Sequence, residues 1–219
     1  MGIAENYRRI AAEVARAAKG REVLLLPVSK FKTVEQMEEA YAAGARCFGE
    51  NYVQELVAKK EHFGDRAEFH LIGHLQKNKV KYVDDKVSLI HSVDSAALAD
   101  EIERQCAKRG LTLEVLIEVN IGREASKTGA APEEVPGLAE HIAALPHVKL
   151  AGLMAMPPAG EGPRYFEEAR KLFVDMQNKT LDNTTIRFLS MGMSGDYLEA
   201  IACGANIVRV GSSIFGSRD

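Results

Sequence analysis

The 219-residue chain is 46% hydrophobic and 27% charged, an ordinary balance for a soluble globular protein with a substantial core of its own. Its net charge of −3, from 28 basic and 31 acidic side chains, gives no reason to expect nucleic acid or an anionic membrane as partner, although a few lysines and backbone N–H groups suffice for one phosphate. Cys47, Cys106 and Cys203 form no metal-binding spacing and fit a reducing compartment, no apolar run approaches the roughly 18 residues of a membrane helix, and the N-terminus lacks a signal-peptide core, so a cytoplasmic protein is expected.

Ile3, Tyr7, Ile10, Val14 and Ala17 mark one face of an opening helix that Gly20 closes. The apolar run 23–28 is short enough to be a buried strand and ends in Ser29-Lys30. A helix carrying Val34, Met37 and Tyr41 stops at Gly44, and a brief strand 46–48 leads into Gly49-Glu50-Asn51. A helix to about Glu61 and strand 68–72 follow, then a helix over 75–84 and strand 87–91. Ser95 is positioned to cap a helix with Leu98, Ile102 and Cys106 on its inner face, before strand 113–119. Val135, Leu138, Ile142 and Leu145 share the next helix, with Pro132 and Pro136 before it or in its first turn. Strand 148–153, a Pro/Gly-rich loop over 155–163, helix 164–178, strand 186–190, helix 196–203 and strand 206–210 complete the pattern.

Eight strands alternating with helices imply a parallel sheet, and that number predicts a single α/β domain closed as a (β/α)8 TIM barrel with an extra N-terminal helix. A doubly wound open sheet is the alternative. Active-site groups of such a barrel gather where strands end. The polar residues there include Lys30, Glu50, Asn51, His70, His74, His91, Asp94, Asn120, Ser190 to Ser194, and Arg209 to Ser213.

Lys30, at the end of an apolar strand, is poorly solvated, which favours the neutral amine that forms Schiff bases; a lysine there also simply reaches out to water. The loops Ser190 to Asp196 and Arg209 to Ser213 follow the last two strands, where barrels of this kind bind phosphate, although glycine and serine also make ordinary turns. Ser194, Gly195, Gly211, Ser212 and Ser213 are the candidate donors, with Gly192 and Gly195 allowing close backbone approach. His70 and His74 make no HExxH metal site and read more simply as hydrogen-bonded strand-end groups, while Asn51 fits a helix cap. Nothing assigns a metal.

The segments LLLPVSK (24–30), CFGENYVQE (47–55), FHLIGHLQKNK (69–79), HSVDS (91–95), VNIGREASKTG (119–129), GLMAMPP (152–158) and LSMGMSGDYLEAIACGANIVRVGSSIFG (189–216) span nearly the whole chain in order. Together they resemble the pyridoxal phosphate (PLP) homeostasis proteins, the YggS/PROSC group, relatives of the alanine racemase N-terminal barrel. The resemblance implies PLP held as a Schiff base on Lys30. It also implies phosphate contacts from Ser194, Gly195, Gly211, Ser212 and Ser213, and a direct cofactor contact from Arg209 that opposes protonation of the pyridine nitrogen. Asn51 and His70 would line the pocket, and Lys127 would lie near the mouth. After VSK this chain reads Phe31-Lys32-Thr33 where the family commonly has TKP. This departure bears on how the first loop is held and leaves the cofactor lysine in place.

Alanine racemases of this barrel type carry a second domain that supplies a catalytic tyrosine and a dimer contact; this chain stops just past its last strand. The expectation is therefore a monomeric, non-enzymatic protein that buffers PLP and delivers it to apo PLP-dependent enzymes. A low-activity amino-acid racemase is the alternative, and a cofactor-free Schiff-base lyase or aldolase is disfavoured by the cofactor motifs.

Overall fold

The computed structural model describes residues 2–124, 126–158, 160–179 and 181–216. Short runs, most of them buried and β7 exposed at alternate positions, form the strands β1 (Leu24–Pro27), β2 (Cys47–Glu50), β3 (Glu68–Leu71), β4 (Leu89–Val93), β5 (Leu113–Val119), β6 (Val148–Ala155), β7 (Thr184–Ser190) and β8 (Ile207–Val210). The helices are α1 (Ile3–Ala18) before β1, then α2 (Val34–Ala42), α3 (Val53–Phe63), α4 (Ala96–Arg109), α5 (Val135–Ala143), α6 (Gly162–Gln177), α7 (Tyr197–Ala202) and α8 (Ser212–Phe215). All pairings are parallel, in the order β1-β8-β7-β6-β5-β4-β3-β2. A bridge between Val28 and Gly49, with the Ser29 N–H on the Gly49 carbonyl at 3.0 Å, joins β1 to β2 and brings the sheet to a nearly closed (β/α)8 barrel. The extra N-terminal helix is present, tied to α7 by the Tyr197 hydroxyl donating to Glu13 and to α8 by Asn6 Nδ2 on the Ile214 carbonyl.

Two layers of core follow from strand alternation. Leu26, Cys47, Leu89, Leu116, Ala151, Met154 and Ile207 come from strands alone and fill the barrel interior. Phe48, Phe63, Phe69, Phe166 and most other large buried side chains pack between strands and helices. At Gly152 an added Cβ would fall 1.9 Å from the Phe188 carbonyl oxygen, so glycine is what lets β7 close on β6 across their register shift.

Several elements differ from expectation. The helix over 75–84 is instead a 3-10 segment, Lys77–Tyr82, that buries only Val80 and leaves little surface to anchor a full helix. Strand β4 starts two residues later than 87, at Leu89, where the fully buried run begins. Ser95 occupies the N-cap position of α4 but spends its hydroxyl on Asp94 rather than on the helix. Tyr52, not Asn51, is the N-cap of α3. Strand β6 runs on to Ala155 and α6 begins at Gly162, shortening the Pro/Gly-rich loop, of which Ala159 lies outside the described residues. Among the described residues no helix is long and apolar enough to cross a membrane.

Candidate cofactor site

At the ends of the strands a cavity of about 690 Å3 opens, within the usual range for a small-ligand site. Lys30, Asn51, Ser194, Gly195, Arg209, Gly211 and Ser212 all line it. So do Lys32, His74, Glu118 and Thr128. Two sequence candidates stand back from the wall: Ser213 lies behind Ser194, and His70 lies in the barrel interior, covered from the cavity.

Lys30 rides on a turn that is braced on both sides. The Ser29 hydroxyl donates to Glu50 Oε1 at 2.6 Å, and the Lys32 N–H returns to the Ser29 carbonyl at 3.0 Å. From α3, Lys59 donates to the Ser29 carbonyl (2.7 Å), Glu50 Oε1 (2.8 Å) and Glu55 Oε2 (2.8 Å). Glu55 also accepts the Phe31 N–H at 2.8 Å. Burial pushes the Glu50 carboxyl above its usual range, against the pull of Lys59. Sequence reasoning passed over Lys59. The signal was its place between Leu56 and Phe63 on the apolar face of α3, where a lysine is buried only if paired.

The Phe31-Lys32-Thr33 departure has a structural account. Phe31 adopts φ 61, a conformation uncommon outside glycine, and its ring lies tilted against exposed Tyr52, with centroids 5.1 Å apart. Thr33 makes a full capping box with Gln36 at the start of α2.

Between β7 and α7, Gly192 has φ 91, and an added Cβ would fall 2.5 Å from Ala200 Cβ. This turn presents Ser194, whose Oγ accepts the backbone N–H groups of Gly211 and Ser213 at 3.3 Å each. Two amides from the loop after β8 thus converge on one oxygen beside the cavity, an arrangement suited to an anionic oxygen. Asn51 Oδ1, also at the cavity, is buried without a hydrogen-bond partner among the described residues.

Arg209 crosses the cavity floor. It donates from Nη1 to Ser190 Oγ at 2.8 Å and from Nη2 to the Ala155 carbonyl at 3.2 Å. Burial lowers its pKa to about 10, which leaves it charged at neutral pH. Beneath it, Ser190 Oγ lies 3.0 Å from His91 Nδ1, and His91 Nε2 lies 3.0 Å from His70 Nδ1. Burial pulls the His70 pKa down to about 4 and His91 well below its usual value, so both rings are neutral. His70 therefore reaches the cavity only through His91, Ser190 and Arg209. Glu118, bonded by the Thr128 hydroxyl at 2.7 Å, has its carboxyl raised by burial.

Residues 2–219 match the family described as alanine racemase, N-terminal domain. A pyridoxal phosphate homeostasis protein from Aquifex aeolicus is 44% identical across 96% of this chain and 94% of its own length. The chain belongs to the pyridoxal phosphate homeostasis protein family. An unknown protein from Bifidobacterium adolescentis superposes with a TM-score of 0.92 at 37% identity, over 97% of this chain and 94% of that one. PipY from Synechococcus elongatus PCC7942, solved with PLP bound, superposes with a TM-score of 0.83 at 35% identity, over 98% of this chain and 100% of its own.

Proposed function

We propose that this chain binds pyridoxal 5′-phosphate as a Schiff base on Lys30 and serves PLP homeostasis, holding the cofactor and delivering it to apo PLP-dependent enzymes without substantial catalysis of its own. One observation carries the reading: a single cavity gathers an amine on a braced turn (Lys30), a serine hydroxyl met by two backbone amides (Ser194 with Gly211 and Ser213) and a buried guanidinium (Arg209). The unpaired Asn51 Oδ1 adds an acceptor that a ligand or bound water would satisfy. The residues fit the cofactor.

When bound, PLP supplies an aldehyde and an electron-accepting ring. The chain's part is to bind and to tune. Lys30 provides the attaching amine. The loops after β7 and β8, with Ser194, Gly195, Gly211 and Ser212, provide the phosphate donors, and Ser213 holds Ser194 from behind. Arg209 keeps its own protons at neutral pH and so donates to, rather than protonates, a facing ring nitrogen. His91 and His70 hold Ser190, and through it Arg209, from below. A ring kept unprotonated is a weak electron sink, which suits a carrier better than a catalyst. The protein acts in the cytoplasm as a monomer, and its three free cysteines agree with a reducing compartment.

The alternative, a low-activity amino-acid racemase, needs a proton carrier facing Lys30 across the cavity. Glu118, with its raised carboxyl, is the group that keeps it open. The deciding experiment is the absorption spectrum of the purified protein, before and after borohydride, beside Lys30→Ala. The expected result is a yellow band that reduction fixes onto Lys30 and that the variant lacks. A protein that stays colourless when PLP is added overturns the proposal. Exchange of the α-hydrogen of amino acids in D2O, with inversion, would move the racemase to the front.

A further inference from the structure

Cys47 and Glu68 face each other as direct partners in the β2–β3 ladder, and His70 follows Glu68 by two residues on the same side of β3. The register alone therefore sets three metal-ligating residues on one wall of the barrel interior. Their ligand atoms lie within 4.8 Å of one another. His70 is paired with Gly49 in the same ladder. Cys47 and Glu68 open their strands, so this cluster lies at the end of the barrel opposite the cofactor cavity.

We propose that Cys47, Glu68 and His70 form a binding site for one zinc ion at the floor of the barrel. The site is independent of the cofactor reading. Zinc bonds of about 2.0–2.3 Å place tetrahedral donors about 3.3–3.8 Å apart, so rotations of exposed Glu68 and small shifts of the other two side chains close the cluster on an ion. A thiolate and an imidazole select zinc over magnesium or calcium. One thiolate and one carboxylate balance the dication, so the loaded site carries no net charge into the apolar interior, and water completes the tetrahedron.

The surroundings support such a site. His70 already spends Nδ1 on His91 Nε2 at 3.0 Å, which orients the ring and leaves Nε2 as its metal-binding atom. His91 is held in turn by Ser190 at 3.0 Å. An ion has a way in, because Cys47 also lines a groove of about 530 Å3 under α1 and Glu68 is exposed. On binding, the Cys47 thiol gives its proton to solvent and the sulfur takes the metal.

The test uses the full chain, stripped with chelator and kept reduced, and titrated with Co2+ as the spectroscopic stand-in for zinc. The visible bands of tetrahedral cobalt lie to the red of cofactor absorption. The expected result is one Co2+ per chain with a tetrahedral spectrum, displaced by Zn2+. Cys47→Ser should abolish that spectrum and Cys106→Ser should leave it intact. His91→Gln, one shell out, should weaken affinity by about 10–100-fold. If Cys47→Ser fails to fold, Glu68→Gln at its exposed position carries the test, and must weaken binding as well. Absence of a tetrahedral spectrum in the unsubstituted protein, or binding that Cys47→Ser or Glu68→Gln leaves unchanged, overturns the proposal.

Discussion

Lys59 shows how a residue away from the cavity wall sets the site. Its ammonium is buried, and it spends three hydrogen bonds on Glu50, Glu55 and the carbonyl just before Lys30. Removing one member of a buried pair strands the other, at a cost of about 3–5 kcal/mol, whereas replacing both members with apolar groups is often close to neutral. Lys59→Met should therefore lower the free energy of unfolding in urea by about 3 kcal/mol, because the buried Glu50 carboxyl is left with only the Ser29 hydroxyl beside it. Lys59→Met combined with Glu50→Leu should recover more than half of that loss. The single variant should also release bound cofactor faster, since the turn carrying Lys30 loses its brace. With Glu50→Leu alone completing the cycle, single losses that simply add in the double variant would show that Lys59 and Glu50 are not coupled.

At the scale of elements, the loops after β7 and β8 were legible as a pair of glycine- and serine-rich turns, but the sequence could not rank their glycines. The structure separates two of them. Gly192 has a positive φ and no room for a Cβ beside Ala200, while nothing lies within 4 Å of a Cβ added at Gly195. Gly192→Ala should thus cost about 1–3 kcal/mol and weaken PLP retention by displacing Ser194. Gly195→Ala should leave stability within about 0.5 kcal/mol of the parent, so any loss of PLP there reports on the cavity rather than on folding. Thermal unfolding and cofactor absorption, measured on both variants, check the two claims together. A stable Gly192→Ala protein would mean that the turn relaxes and that Ser194 is not held by it. The misread helix over 75–84 has a different origin. Its residues carry helical periodicity, yet between Leu75 and Val83 only Val80 is buried, so packing offers too little to overcome the cost of a longer helix.

Across the whole molecule, the alternation of strands and helices called for a parallel sheet and the count of eight strands for a barrel, while the open doubly wound alternative was set aside only by the bridge that joins β1 to β2. The interior was harder to read. Lys30, Asn51, Ser194, Gly195, Arg209, Gly211 and Ser212 could be placed at strand ends and loops, but whether His70 meets the cavity depends on barrel stagger, which no local pattern encodes. That stagger stacks Arg209, Ser190, His91 and His70 into one hydrogen-bonded column through the barrel. The column has a consequence for stability in acid. In metal-free protein, burial depresses the His70 pKa to about 4 from an ordinary 6.5, so between those values the unfolded chain binds a proton that the folded chain refuses. Folding stability then falls as pH drops through this window, by up to about 1.4 kcal/mol per pH unit for one such proton. His91, depressed further, acts in the same direction. Glu50 and Glu118, with raised carboxyls, act in the opposite direction, since the folded state holds their protons to higher pH. Comparison with His70→Gln removes these shared contributions to first order. With chelator present throughout, urea unfolding from pH 6.5 to 5 should show the parent losing about 1.5 kcal/mol more than His70→Gln. A difference that stays flat across that range would mean that His70 takes up its proton without penalty, and that water reaches the column the structure encloses.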